Sequence, residues 1–197
     1  MTNENDPVDD VARSLVAVGQ VIGTISAAQW SASTPCTEWS VRRIVEHLVG
    51  MNRVFAAVLT DRPPPGRGDP IADDELAEAY RESATLLLDA CRQPGLPDRL
   101  FAGPLGTATG DERIRIRLYD LLAHGWDLAK ATGQVLQVPD DIAERSLSFA
   151  RGQVSEQSRP GRFEPPQAIA EDAPAIERLV AFLGRPVVNP RTAGSSS

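Results

Sequence analysis

Apolar residues recur at helical spacing in four separate stretches of this chain, and no stretch of comparable length alternates with period two. Side chains return to one face of an α-helix every ~3.6 residues but to one face of a strand every second residue, so the pattern points to helices. In the first stretch Val8, Val11, Leu15, Val18, Ile22 and Ile25 draw a single stripe. The second follows Ser40, a helix-capping residue type, and sets Val41, Ile44, Val45, Leu48, Met51 and Phe55 on one side. It ends at Asp61-Arg62-Pro63-Pro64-Pro65-Gly66, which cannot continue a helix. The third is predicted from Ala72 to Arg92, with Leu76, Tyr80, Ser83, Leu87 and Ala90 on its stripe and Pro94-Gly95 as terminator.

The fourth opens on Thr109-Gly110-Asp111-Glu112, a capping-box pattern, and continues through Ile114, Leu118, Leu121, Gly125 and Leu128 to a closing Gly133. Four such helices fit an all-α four-helix bundle. Two shorter helices are expected to follow, one from Pro139-Asp140-Asp141 and one from Asp172. The predicted organisation is a disordered start (1–6), a four-helix bundle (7–135), short helices packed on it (136–188) and a disordered tail (189–197). Connections 61–71 and 93–108 are long enough to cross a bundle end or run along its side, so the topology need not be up-down-up-down. Long irregular connections often form functional rims, while Pro63–Pro65 equally suits a stiff spacer. The glycines between Gly103 and Gly110 lack the Gly-Lys-Ser/Thr ending of a phosphate loop and read as a turn-rich loop.

Charge narrows the partners. A net charge of -7 and a pI near 4.9, with Lys130 the only lysine, argue against nucleic acid and anionic membranes. No run of about 18 apolar residues is present. The acidic start MTNENDPVDD carries no export signal, so a cytoplasmic protein is expected, with Cys36 and Cys91 as reduced thiols.

His47 and His124 are the only histidines, and both border an apolar stripe. His47 lies three residues after Ile44, and His124 lies three after Leu121. Asp120 precedes His124 by one turn, so the two side chains share a face. A carboxylate beside a core stripe is costly unless it is paired, and an i, i+4 carboxylate and imidazole can converge on one cation. If the second and fourth helices face each other, His47 completes a set of two histidines and a carboxylate with a coordination position left open. The competing reading is an Asp120–His124 ion pair with Arg117 nearby.

Two motifs carry a family resemblance. Thr34-Pro35-Cys36-Thr37-Glu38-Trp39-Ser40-Val41-Arg42, followed by His47-Leu48-Val49-Gly50, resembles the metal-binding domain of mycothiol-dependent maleylpyruvate isomerases. It resembles still more closely the related actinobacterial DinB-like proteins. His124-Gly125-Trp126-Asp127-Leu128-Ala129 is the second motif, and Phe182-Leu183-Gly184-Arg185 extends the likeness over nearly the whole chain. The resemblance implies a DinB-like bundle holding a divalent ion, zinc or alternatively nickel, with mycothiol as a thiol cosubstrate. Carried over by position, the metal ligands are His47, Asp120 and His124. Asp120 departs from the glutamate of the isomerase pattern, and the third histidine of most DinB-like relatives has no counterpart here. Residues 135–197 are too short and too helical for the isomerase's C-terminal α/β domain.

Several neighbours admit two roles. Asp127 either orients His124 through its other ring nitrogen or simply pairs with an arginine, the simpler reading. Cys36 either reaches the metal as a fourth ligand or is a buried inert thiol, while Cys91 belongs to the core. Trp30 and Trp39 are read as lids on the core. Glu46 is a general-base candidate or a surface partner of Arg42. Arg43, Arg53 and Arg117 could line a pocket for an anion. The function expected is a thiol-dependent transferase or isomerase with a small-molecule substrate or thiol as partner, monomeric or homodimeric. The alternative is a non-catalytic metal-binding or regulatory module whose metal is structural or whose site is degenerate.

Overall fold

Each helix begins and ends where local hydrogen bonding predicts, with two informative exceptions. In the computed structural model, residues 6–66, 70–102 and 106–187 are described. The disorder expected for residues 1–6 lies outside them except at Asp6, which is ordered as a helix cap, and the disorder expected for 189–197 and part of the glycine-containing loop also lie outside them. Helix α1 (Pro7–Ile22) starts where Asp6 accepts from the Val8 N–H at 2.9 Å. Helix α2 (Val41–Leu59) starts where Ser40 Oγ accepts from the Arg43 N–H. Helix α4 (Gly110–Thr132) has the predicted capping box, Thr109 N–H to Glu112 at 2.8 Å and Glu112 N–H to Thr109 at 3.2 Å, and closes on Gly133 in the left-handed region.

Helix α3 (Leu76–Cys91) begins four residues later than the expected Ala72. Arg42 of α2 draws the preceding segment across the bundle, donating to the Ile71 carbonyl and pairing with Asp73, and Glu75 offers no side-chain cap. Helix α5 (Asp140–Gln153) starts as read. Helix α6 (Ala175–Phe182) starts after Pro174 rather than at Asp172, because a residue preceding proline is pushed out of helical conformation. Strands β1 (Leu100–Phe101) and β2 (Ala108–Thr109) form one short antiparallel ladder that the sequence pattern does not reveal. Two residues a side form no sheet layer, and the fold is all-α.

Helix α1 packs on α3 and α4, and α2 packs on the same two, so the order around the bundle is α1, α3, α2, α4. Relative directions follow from paired side chains. His47 meets Asp120 while Asn52 meets Arg117, so α2 and α4 are antiparallel. Arg42 meets Asp73 while Asn52 meets Ser83, so α2 and α3 advance together. Two consecutive helices that run the same way exclude an up-down-up-down topology. Helices α1 and α4 also run together, and Gly125 lets them approach. A Cβ there would lie 2.6 Å from a methyl of Val18.

The core is continuous from Val11 and Val18 through Leu48, Leu87 and Leu121 to Leu147 and Leu179. Helices α5 and α6 pack on each other and on α4. Arg145 clamps buried Asp10 with two hydrogen bonds of 2.7 and 2.9 Å, tying α5 to α1. Among the described residues no helix is long and apolar enough to cross a membrane.

Candidate metal centre and its pocket

The antiparallel contact of α2 with α4 brings His47, Asp120 and His124 together. One oxygen, Asp120 Oδ1, lies 3.4 Å from His47 Nε2 and 3.6 Å from His124 Nε2. Ligand atoms about 2.0–2.1 Å from a shared tetrahedral ion lie about 3.4 Å apart, which these separations match. The other Asp120 oxygen pairs with Arg117, so the ion-pair reading and the convergent-ligand reading each describe one side of the same carboxylate.

Arg117 is wholly buried. Its Nε and Nη2 donate to Asn52 Oδ1 at 3.1 and 2.7 Å, and Asn52 in turn donates to Ser83. This polar chain crosses α4, α2 and α3 and holds Asp120 from behind. Burial tends to raise the Asp120 carboxyl, but the His47 hydrogen bond and the Arg117 guanidinium outweigh it and keep the group below the usual carboxylate range.

His124 is held from its opposite edge. Its Nδ1 lies 3.1 Å from Asp127 Oδ2, and Asp127 is entirely buried. An ionised carboxylate only accepts, so Nδ1 carries the proton and Nε2 presents a bare lone pair toward Asp120 Oδ1. Burial lowers the His124 pKa against the pull of Asp127 and Asp120, favouring the neutral ring. Two facing lone pairs repel unless a positive species lies between them. The donor set thus fits a divalent ion.

Asp127 takes both roles read from the sequence. Beside orienting His124, it accepts from Arg185 Nη2 and Nε at 3.2 and 3.4 Å, while Asp127 Oδ1 is buried without a partner among the described residues. Arg185 is a site residue that sequence reasoning missed. Its only signal was membership of the Phe182–Arg185 match.

The loop before α2 covers the site. Thr34 Oγ1 donates to the carbonyls of Cys36 and Trp39, pinning the loop over the imidazoles. The Trp39 ring lies 5.2 Å from His124, stacked at 19°, and 4.7 Å from His47. Trp30 is the core residue expected, whereas Trp39 is only partly buried and caps the candidate ligands. Cys36 Sγ lies within 4.8 Å of donor atoms of His124 and Asp127 but outside the cluster of His47, Asp120 and His124. Burial pushes its thiol up despite Arg185, and Cys91 is pushed up to about 12 in the core. Glu46 is the surface partner of Arg42, at 3.2 Å.

A cavity of about 900 Å³ opens on the cluster. Met51, Val54, Phe55 and Val58 of α2 and Ile116 and Tyr119 of α4 form its apolar walls. Residues 161–164 and 183–186 close another side, with Gly184 at φ +93 and backed by the Glu164 carbonyl, where a side chain would not fit. No described residue of the connections 61–71 and 93–108 lines this cavity. The C-terminal segments supply the wall those connections were candidates to form.

The mycothiol maleylpyruvate isomerase N-terminal domain matches residues 11–129. The chain belongs to this family. Relatives similar over most of the length are uncharacterized proteins of Mycobacterium tuberculosis, from strains CDC 1551 / Oshkosh and ATCC 25618 / H37Rv. Each is 34% identical over 92% of this chain and 99% of its own. The crystal structure of a mutant mycothiol-dependent maleylpyruvate isomerase superposes with a TM-score of 0.57 at 15% identity, covering 72% of this chain. That likeness shows the fold, and the chain spans 66% of that protein's length. The family match ends within α4, so Arg185 and the pocket wall at 161–164 and 183–186 lie beyond it.

Proposed function

We propose that this chain binds a divalent metal ion through His47, Asp120 and His124 and acts as a thiol-dependent isomerase or transferase, with mycothiol, the thiol of the family's name, as cosubstrate. The observation that carries the metal reading is the single Asp120 oxygen facing two imidazole Nε2 atoms at 3.4 and 3.6 Å. A divalent ion held there supplies a bound thiol or water with a lowered pKa and hence a nucleophile near neutral pH. Arg117 fixes one carboxylate oxygen and leaves the other for the site. Asp127 sets the His124 tautomer, and Trp39 shields the imidazoles from water on one side. Cys36 lies outside the cluster of His47, Asp120 and His124, which supports an open coordination position over a closed structural site.

A second reading, a degenerate bundle without metal, is favoured by the Arg117–Asp120 pair and the Asp120–His47 hydrogen bond, which satisfy the carboxylate by themselves. Elemental mass spectrometry on tag-free protein, beside His124→Ala and Asp120→Ala, separates the two. About one equivalent of zinc or nickel, lost in both variants, supports the first reading and justifies assays with low-molecular-weight thiols. Absence of metal in all three after reconstitution supports the second.

A further inference from the structure

Arg113 lies in the first turn of α4, seven residues before the candidate ligand Asp120. It is 3% exposed and lines the cavity. Its Nη2 donates to the carbonyls of Phe101 and Gly106, but its Nε is buried with no hydrogen-bond partner among the described residues. No described carboxylate lies within 4.0 Å of its guanidinium. Glu112, the adjacent acid, is engaged in the capping box with Thr109.

The other buried arginines differ. Arg117 has Asp120 and Arg185 has Asp127. Arg159 also lacks a carboxylate, yet it donates to the Glu164 and Phe182 carbonyls, leaves no buried nitrogen orphaned and does not line the cavity. Buried charges are ordinarily paired, so a buried guanidinium that lines the cavity without a counter-charge marks a place for an anion.

The spacing sets the shape of the molecule that would use it. Arg113 and Asp120 are two turns apart on one helix, about 10 Å at 1.5 Å per residue. Between them the cavity is walled by Ile116, Tyr119, Met51 and Phe55. We infer that Arg113 is a carboxylate-binding subsite, and that the substrate of this pocket is an elongated molecule with an apolar body and a terminal carboxylate. The reacting end then lies at His47, Asp120 and His124. That last clause rests on the proposed metal centre; the subsite does not.

The test is calorimetric titration of octanoate and octanol into the full chain after chelator treatment, so that loss of the metal reading leaves the result unaffected. Octanoate is expected to bind at least about tenfold more tightly than octanol, as a charge-assisted hydrogen bond requires. Arg113→Gln is expected to abolish the difference, and Arg81→Gln, on the exposed face of α3 away from the cavity, to preserve it. Circular dichroism checks folding. Should Arg113→Gln not fold, Ile116→Glu decides, because it places a carboxylate one turn from Arg113 and is expected to remove octanoate binding selectively. Equal binding of acid and alcohol, a preference that survives in Arg113→Gln or Ile116→Glu, or one lost in Arg81→Gln instead, overturns the assignment.

Discussion

Asp127 and His124 form a buried pair in which an aspartate with no solvent exposure accepts from imidazole Nδ1 at 3.1 Å. The same aspartate oxygen takes two hydrogen bonds from Arg185, 58 residues further along the chain. The orientation of one candidate ligand therefore depends on the C-terminal segment that also walls the pocket. Asp127→Asn keeps the shape but can present an amide donor to Nδ1, freeing the ring to change tautomer. Metal affinity is expected to fall about 10–100-fold, read by competition with a chelating dye. Asp127→Ala, which strands Arg185, is expected to cost about 3 kcal/mol in urea unfolding. Unchanged affinity in the asparagine variant would refute the orienting role.

Trp39 is placed to report on the site through its fluorescence. Its ring lies against both imidazoles, whereas Trp30 and Trp126 are buried elsewhere in the core. Nickel added to metal-free protein is expected to quench part of the emission, and Trp39→Phe to abolish that part. Quenching of equal size in Trp39→Phe would place the ion away from the site described.

The approach of α1 to α4 sets a packing test. Gly125→Ala puts a methyl into Val18, an overpacking expected to destabilise the fold by about 1–3 kcal/mol. Adding Val18→Ala makes room, so the double variant should lose less than the sum of the single changes. Additive losses would show that the helices already yield at this contact.

Acid should destabilise the metal-free protein through two groups that act in the same direction. The folded state holds the Asp120 carboxyl below its ordinary range, so its contribution is complete above about pH 4 and lost as pH falls through the folded value. The folded state also lowers the His124 pKa. Below about pH 6.5 the unfolded chain therefore binds a proton there that the native chain does not, and stability falls with pH. Urea midpoints are expected to drop between pH 7 and pH 5, and His124→Gln to flatten that slope. An unchanged slope in His124→Gln would rule out His124 as its source.

Much of the local structure was legible because its causes lie within a few residues. Ser40, the Thr109–Glu112 box and Gly133 mark helix ends through hydrogen bonds to their own turns. The pairing of Asp120 with His124 was legible for the same reason, since four residues make one helical turn. The late start of α3 was not legible, because the Arg42 contacts that cause it come from another helix.

By itself the sequence determined that the chain is helical, where most helices begin and end, and which side chains face inward, because period and capping are written in neighbouring residues. Tertiary structure alone decided that α2 runs against α4, bringing His47 to Asp120 across 73 positions. It also decided that Trp39 covers the imidazoles, that Arg185 reaches Asp127, and that residues 161–164 and 183–186 wall the cavity. These relationships join distant segments, and their geometry is set by how whole helices pack, which no local pattern encodes.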